Sequence, residues 1–369
     1  MAAPSGPAGL APQSQVSLDI LAPYRRPSWG RSVWQLVDTA APLAALWIAM
    51  VLLADRAFWL TLILAAPAAA FLIRLFIIQH DCGHGAFFPS TRASNLVGTV
   101  IGIFTLTPYD YWRRVHALHH ATSGNLERRG VGDIDTLTVR EYLALSRWRR
   151  LKYRLYRNPL ILFGIGPSFH FIILHRLPTL VPREWKRERR SIWGTNLAIA
   201  ATVAVMALTF GLRRFLMVQL PITLLASSLG VWLFYVQHQF RDTYWEHEPE
   251  WDFLAAGLRG SSYYALPRVL QWFTGNIGLH HIHHLNSRIP NYLLQRCLDE
   301  NPPLQSATRL TLWRSLQCVV LKLWDEDRGT LVGYRRARRA AAAGAAPAGG
   351  PSPSGGTLAA AGGIDKPTA

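Results

Sequence analysis

Uncharged stretches set the frame of this chain. Ser191–Leu212 runs 22 residues without a charged side chain, and Phe215–Gln237 runs 23. A helix of either length reaches about 33 Å, enough to cross a hydrocarbon core of about 30 Å. Two shorter uncharged runs, Thr39–Ala54 and Ala57–Ile73, are separated only by Asp55 and Arg56. The pattern predicts an all-α integral membrane protein with four spanning helices in two hairpins. They are placed at about Val33–Ala54, Ala57–Ile78, Trp193–Leu212 and Phe215–Gln237, with turns at Asp55–Arg56 and Arg213–Arg214. Arg74, in the last turns of the second helix, is expected to snorkel toward the surface. Asn95–Thr107 is apolar but about 13 residues long, so it is read as re-entrant or interfacial.

Outside these runs the composition changes. Residues 1–22, rich in Ala, Pro, Gly and Ser, and the low-complexity tail at 337–369 are expected to be disordered, leaving one domain at 23–336. The start of the chain has no basic segment followed by an apolar core, so the first span is expected to act as its own insertion signal. The formal net charge is +17. Basic side chains are not interleaved with a soluble binding fold, so nucleic acid is not an expected partner. They concentrate between Arg113 and Arg190, with 17 Lys and Arg against 6 Asp and Glu, which under the positive-inside rule makes that segment cytoplasmic. Its surface would attract anionic headgroups and an acidic partner protein. Three cysteines, Cys82, Cys297 and Cys318, form no CxxC pattern, and no disulfide framework is expected.

The candidate chemistry is histidine. Eight of the 13 histidines fall into three clusters: His80 and His84 in HDCGH, His116, His119 and His120 in HALHH, and His280, His283 and His284 in HHIHH. A lone i, i+4 pair is commonly an accident of surface or core. The i, i+3, i+4 triple occurs twice, however, and puts three imidazoles on one helical face each time. Eight imidazoles exceed the four ligands of one tetrahedral zinc and suggest two metal ions. Iron, copper and zinc all accept imidazole, so spacing does not choose among them. Each hairpin also delivers a histidine to the same membrane face, His80 from the first and His238 from the second, which makes His238 a candidate ninth ligand. Asp81 reads either as a hydrogen-bond partner of a ligand imidazole or as a helix-end charge. Asn276, four residues before His280, is expected to share its helical face and to bond a ligand there. His281 lies about 100° round the helix and is not expected to bind metal. Asp133 and Asp135 read as an exposed turn, and His170 and His175 as packing residues.

With HDCGHGAFF, WRRVHALHHATSGN and NIGLHHIHHLNSRIPNY in view, the chain resembles the membrane fatty acid desaturases of the di-iron, histidine-box type, over about residues 30–310. Within that family it is most similar to bacterial and plastid acyl-lipid enzymes of the Δ12 or ω6 kind. The resemblance implies a histidine-rich helical cap on the cytoplasmic side of a bacterial inner membrane, and a double bond introduced into an acyl chain. It implies two iron ions held by the eight box histidines, with O2 as co-substrate. Some members add a histidine after the fourth span and an asparagine four residues earlier; here His238 takes the first position and Phe234 stands at the second. No HPGG haem motif of a fused cytochrome b5 is present, and no GxGxxG follows a strand. Electrons are therefore expected from a separate ferredoxin or cytochrome b5 type protein.

The same boxes serve hydroxylases and carotenoid ketolases or hydroxylases, which differ in where the activated oxygen goes. A metal transporter is the reading from another class. Transporters place polar ligands within their spans near the midplane, whereas every histidine cluster here lies outside the long apolar runs.

Overall fold

The structure, a computed structural model, describes residues 18–342. In chain order its helices are α1 (Trp29–Leu53), α2 (Phe58–Gly83), α3 (Thr91–Phe104), α4 (Tyr109–Thr122), α5 (Val139–Ala144), α6 (Arg147–Tyr156), α7 (Gly166–Ile172), α8 (Lys186–Phe210), α9 (Leu212–His238), α10 (Phe253–Arg259), α11 (Arg268–Phe273), α12 (His280–Leu285), α13 (Asn291–Glu300), α14 (Leu312–Ser315) and α15 (Tyr334–Ala342). Strands are confined to short pieces of two or three residues in the cap, such as Leu323–Asp325 between Leu137–Thr138 and Thr330–Val332.

Among the described residues four single helices are long and apolar enough to span, α1, α2, α8 and α9, and they form the two expected hairpins. Both hairpin turns lie at one end, where Asp55 is bonded by Arg213 at 3.2 Å and by Arg214. Helix α2 is the axis of the bundle: more than half of its apolar window is buried, while α8 turns Leu197 and Leu208 outward. The core between α1, α2, α3 and α9 is built from Met50, Ala65, Ala68, Leu72, Ile78 and Ile222. Small Ala side chains on α2 let its neighbours approach closely where no hydrophobic drive separates helix from lipid.

Helix α2 continues to Gly83, past the apolar run, so His80 is still helical. Arg74 does not snorkel. It is buried, donating from Nε to Thr39 Oγ1 at 3.1 Å, pairing with Asp38 at 3.7 Å and stacking 3.8 Å from the Trp272 ring, whose carbonyl it also bonds. A buried guanidinium needs such partners to offset its desolvation, and these tie α11 to α1 and α2.

Helix α3 has 14 residues, about 21 Å, too short to cross. Its Gly98 faces Tyr109 so closely that a Cβ would lie 2.3 Å from the ring. That contact seats the start of α4, which carries the second histidine cluster. The expected disordered ends need amending at their inner edges. Leu18–Tyr24 forms a 3-10 turn with Leu21 buried and Tyr24 donating to Glu300 at 2.6 Å, and α15 buries Ala337. The remainder of those two expectations lies outside the described residues.

Candidate metal centre

The i, i+3, i+4 spacing predicts one shared face for each triple, and the structure instead splits both triples between two groups. On α4 it aims His116 and His120 one way and His119 another, and on α12 it divides His283 from His280 and His284. Among the described residues, nine histidines fall into two groups whose ligand atoms lie within 4.8 Å of one another. One group is His80, His84, His116, His120 and His283; the other is His119, His238, His280 and His284. Every sequence-predicted ligand is included, His238 among them, and His281, His170 and His175 are outside both.

The nitrogens converge through Nε2. In the first group His120 lies 3.1 Å from His116 and 3.0 Å from His283. In the second, His238 lies 3.2 Å from His119 and 3.0 Å from His280, and His280 lies 3.1 Å from His284. Three of the rings have their other nitrogen committed. His80 Nδ1 meets Asp81 Oδ1 at 3.0 Å, His119 Nδ1 meets Asp133 Oδ1 at 2.5 Å, and His238 Nδ1 meets the Gly260 carbonyl at 3.1 Å. Each of those oxygens accepts, so each Nδ1 carries the proton and each Nε2 offers a lone pair. The lone pairs of His119 and His238 therefore face each other, an arrangement that a shared cation resolves. The buried Nε2 atoms of His80 and His84 have no hydrogen-bond partner. With a metal–imidazole distance of about 2.1 Å, neighbouring ligands at right angles would be about 3.0 Å apart, close to the spacing observed.

Burial, first, and the neighbouring imidazoles, second, push His84, His116, His120, His280, His283 and His284 well below the ordinary histidine value. These are rings held neutral, the form that binds metal. His281 is pushed down to about 4 by burial, opposed by nearby carbonyls of Leu304 and Ser262; neither ring nitrogen reaches them with hydrogen-bond geometry.

Asp81 is not a free helix-end charge: its Oδ2 accepts from the Asn291 backbone at 2.7 Å and side chain at 2.9 Å, joining the first cluster to the segment after the third. Asn276 does not share a helical face with His280. Gly275 and Asn276 both take positive φ (53° and 57°), so the chain turns before α12 begins, and the Asn276 amide donates to the Asn291 carbonyl at 3.0 Å. Asp133 corrects the sequence reading in the other direction, being the partner of His119 rather than an exposed turn. Its only local sign is the glycine-rich GVGD that bends the chain back toward α4. Phe234 lies 5.2 Å from the His119 ring and 5.3 Å from the His238 ring, beside a small cavity also lined by Asp133 and Tyr244.

The family model described as fatty acid desaturase matches residues 57–315. A fatty acid desaturase of Bacillus subtilis is 46% identical over 323 residues, covering 88% of this chain and 91% of the relative. An sn-1 oleoyl-lipid 12-desaturase of Synechocystis sp. is 26% identical, covering 69% and 73%. A chloroplastic sn-2 acyl-lipid omega-3 desaturase (ferredoxin) of Helianthus annuus is 28% identical, covering 62% and 53%.

Proposed function

Since the chain belongs to the fatty acid desaturase family and is an oxidoreductase of that kind, we propose that it converts two adjacent methylenes of a lipid-borne acyl chain into a double bond, at the Δ12 or ω6 position. The observation that carries this reading is the convergence of nine histidine ring nitrogens into two groups at the ends of the spanning helices. In this reading His80, His84, His116, His120 and His283 hold one iron, and His119, His238, His280 and His284 the other. Bound there, the iron pair would supply what no side chain can, an O2-derived oxidant strong enough for an unactivated C–H bond.

The chain's own residues do the rest. Asp81, Asp133 and the Gly260 carbonyl keep three ligand rings in the metal-binding tautomer. Burial keeps the remaining rings neutral and excludes water. The apolar helices bring the acyl chain from the bilayer to the same membrane face as the histidines. Two hydrogens leave the substrate, and with two further electrons and two protons O2 ends as two waters. The two electrons come from a separate acidic donor of the ferredoxin or cytochrome b5 type, which the basic surface between Arg113 and Arg190 suits. The acyl-lipid and 12-position readings rest on the Synechocystis relative's name, and the ferredoxin reading on that of Helianthus annuus. By the positive-inside rule the centre faces the cytoplasm of a bacterial inner membrane.

Expression in a host that makes monoenoic but no dienoic lipids tests this directly. Mass spectrometry should show a dienoic acyl chain, two hydrogens lighter, and about two irons per purified chain. A hydroxylated product, one oxygen heavier, would move the chain to the hydroxylase reading; metal uptake with no change in lipid would overturn the reaction.

A further inference from the structure

The four-histidine group is held from outside by a strut that begins at a fully buried arginine. Arg157 has no exposed surface. Its Nη1 donates to the Asp135 carbonyl at 2.8 Å and to Thr136 Oγ1 at 3.2 Å, and its Nη2 to Gln239 Oε1 at 2.9 Å and to the Leu321 carbonyl at 3.1 Å. One planar guanidinium thereby joins the loop after the second cluster to the end of α9. Gln239 directly follows His238, and Asp135 lies two residues past Asp133.

The Asp133 side chain is 9% exposed and meets His119 Nδ1 through Oδ1; its Oδ2, also buried, has no partner. The loop reaches this position because Gly132, at φ +75°, lies flat on α4. A Cβ there would stand 3.1 Å from Val115 Cγ1 and 3.2 Å from His119 Cβ. His119 and His238, whose Nε2 atoms face each other at 3.2 Å, are thus both tied to Arg157, the first through the Asp133 loop and the second through its neighbour Gln239, while the His238 ring itself bonds the Gly260 carbonyl.

We propose that Asp133 is a positioning residue for the four-histidine site, holding His119 in the tautomer and orientation that aim Nε2 at the metal, and that Arg157 sets the spacing of His119 and His238 by anchoring the loop that carries Asp133 and the residue that follows His238. The proposal rests on the two-metal reading above. Its mechanism is orientation: a fixed acceptor at Nδ1 keeps the Nε2 lone pair free, and loss of such a partner typically weakens metal binding by about 10 to 100-fold. Because Oδ2 is unused, an amide can stand in at this position, with its oxygen still accepting from Nδ1–H. Lysine at 157 could not make the same bridge, since its point charge lacks the forked donors.

The full-length chain, purified in detergent and loaded with ferrous iron, provides the test by metal counting and by the rate of iron release to a chelator. Wild type should hold two irons. Asp133→Leu should release one of them about 10 to 100-fold faster while the other keeps its wild-type rate, and Asp133→Asn should stay within a few-fold of wild type. Arg157→Lys should accelerate release of the same single iron. If Asp133→Leu does not accumulate folded, Asp133→Ala reads the same property. Two irons leaving Asp133→Leu or Asp133→Ala at wild-type rates would overturn the proposal, as would equal loss from the Asn and apolar variants. A wild-type chain that takes up no iron would instead overturn the two-metal reading itself.

Discussion

Replacing Asp81 by Asn changes one atom and separates two requirements that the carboxylate meets together. Asp81 is 2% exposed and accepts three bonds, one from His80 Nδ1 at 3.0 Å on Oδ1 and two from Asn291 on Oδ2, at 2.7 and 2.9 Å. An amide has a single acceptor oxygen. If that oxygen stays toward His80, the new NH2 group faces the backbone N–H and side-chain NH2 of Asn291, and two buried donors lose their partner. Asn291 cannot turn round without cost, because its own oxygen accepts from Gln35 Nε2 at 2.9 Å. Each orphaned donor costs about 1–3 kcal/mol, so Asp81→Asn should lose about 2–6 kcal/mol of stability. If the amide flips, the Asn291 bonds survive, but the NH2 group then demands an acceptor at His80 Nδ1. His80 meets it only by moving its proton to Nε2, which blocks the metal-binding lone pair. Either way the variant fails one of two measurements: thermal unfolding in detergent, or iron content with a loss of about 10 to 100-fold in affinity. A variant that unfolds at the wild-type temperature and keeps both irons would refute this account of the first cluster. The contrast with Asp133→Asn, expected to be tolerated, follows from the partnerless Oδ2 there.

Single cysteines at Asp55→Cys and Ala117→Cys, both exposed sites, should label from opposite faces of the membrane, with little background from the buried Cys82, Cys297 and Cys318; labelling from one face would break the hairpin topology. In the third cluster, His280→Ala, His283→Ala and His284→Ala should each lose iron and activity. His281→Ala should keep its iron while unfolding at a lower temperature, because the ring is fully buried; an inactive His281→Ala beside an active His280→Ala would shift the register of the site. Acid should destabilise the metal-free protein. Rings whose folded pKa is depressed leave the unfolded chain holding more protons, so stability is fully present above about pH 6.5 and falls as pH drops below it. His281 contributes down to about pH 4, and the six other depressed rings act in the same direction. Equilibrium unfolding of the metal-free chain between pH 7.5 and 4 checks the sign, and stability that rises on acidification would refute it.

Periodicity and charge carried the reading a long way. Uncharged runs of 22 and 23 residues leave a backbone few choices in a bilayer, where only a helix satisfies its own N–H and C=O groups. The recurrence of i, i+3, i+4 histidines marked the residues that cluster, because a helix keeps that spacing on adjacent turns whatever surrounds it. Local rules misled where a turn or a distant partner took over. Asn276 reads as helical from its spacing to His280, but two consecutive residues of positive φ break the chain before α12. Arg74 reads as a snorkelling residue from its place near a helix end, yet Asp38, Thr39 and Trp272 give it a buried alternative.

The sequence by itself determined which residue types meet at the membrane face and which helices bring them there, since both follow from periods of a few residues. It did not determine how nine imidazoles divide. His119 and His120 are neighbours in the chain but belong to different groups, and His283 and His284 are separated likewise. That division depends on how α4 and α12 are rotated against each other and against the ends of α2 and α9, which packing across more than 200 residues of chain decides. The same holds for Asp133 and Arg157. Their roles come from a loop folded back onto α4 and a guanidinium spanning two distant segments, contacts whose partners carry no periodic mark in the sequence.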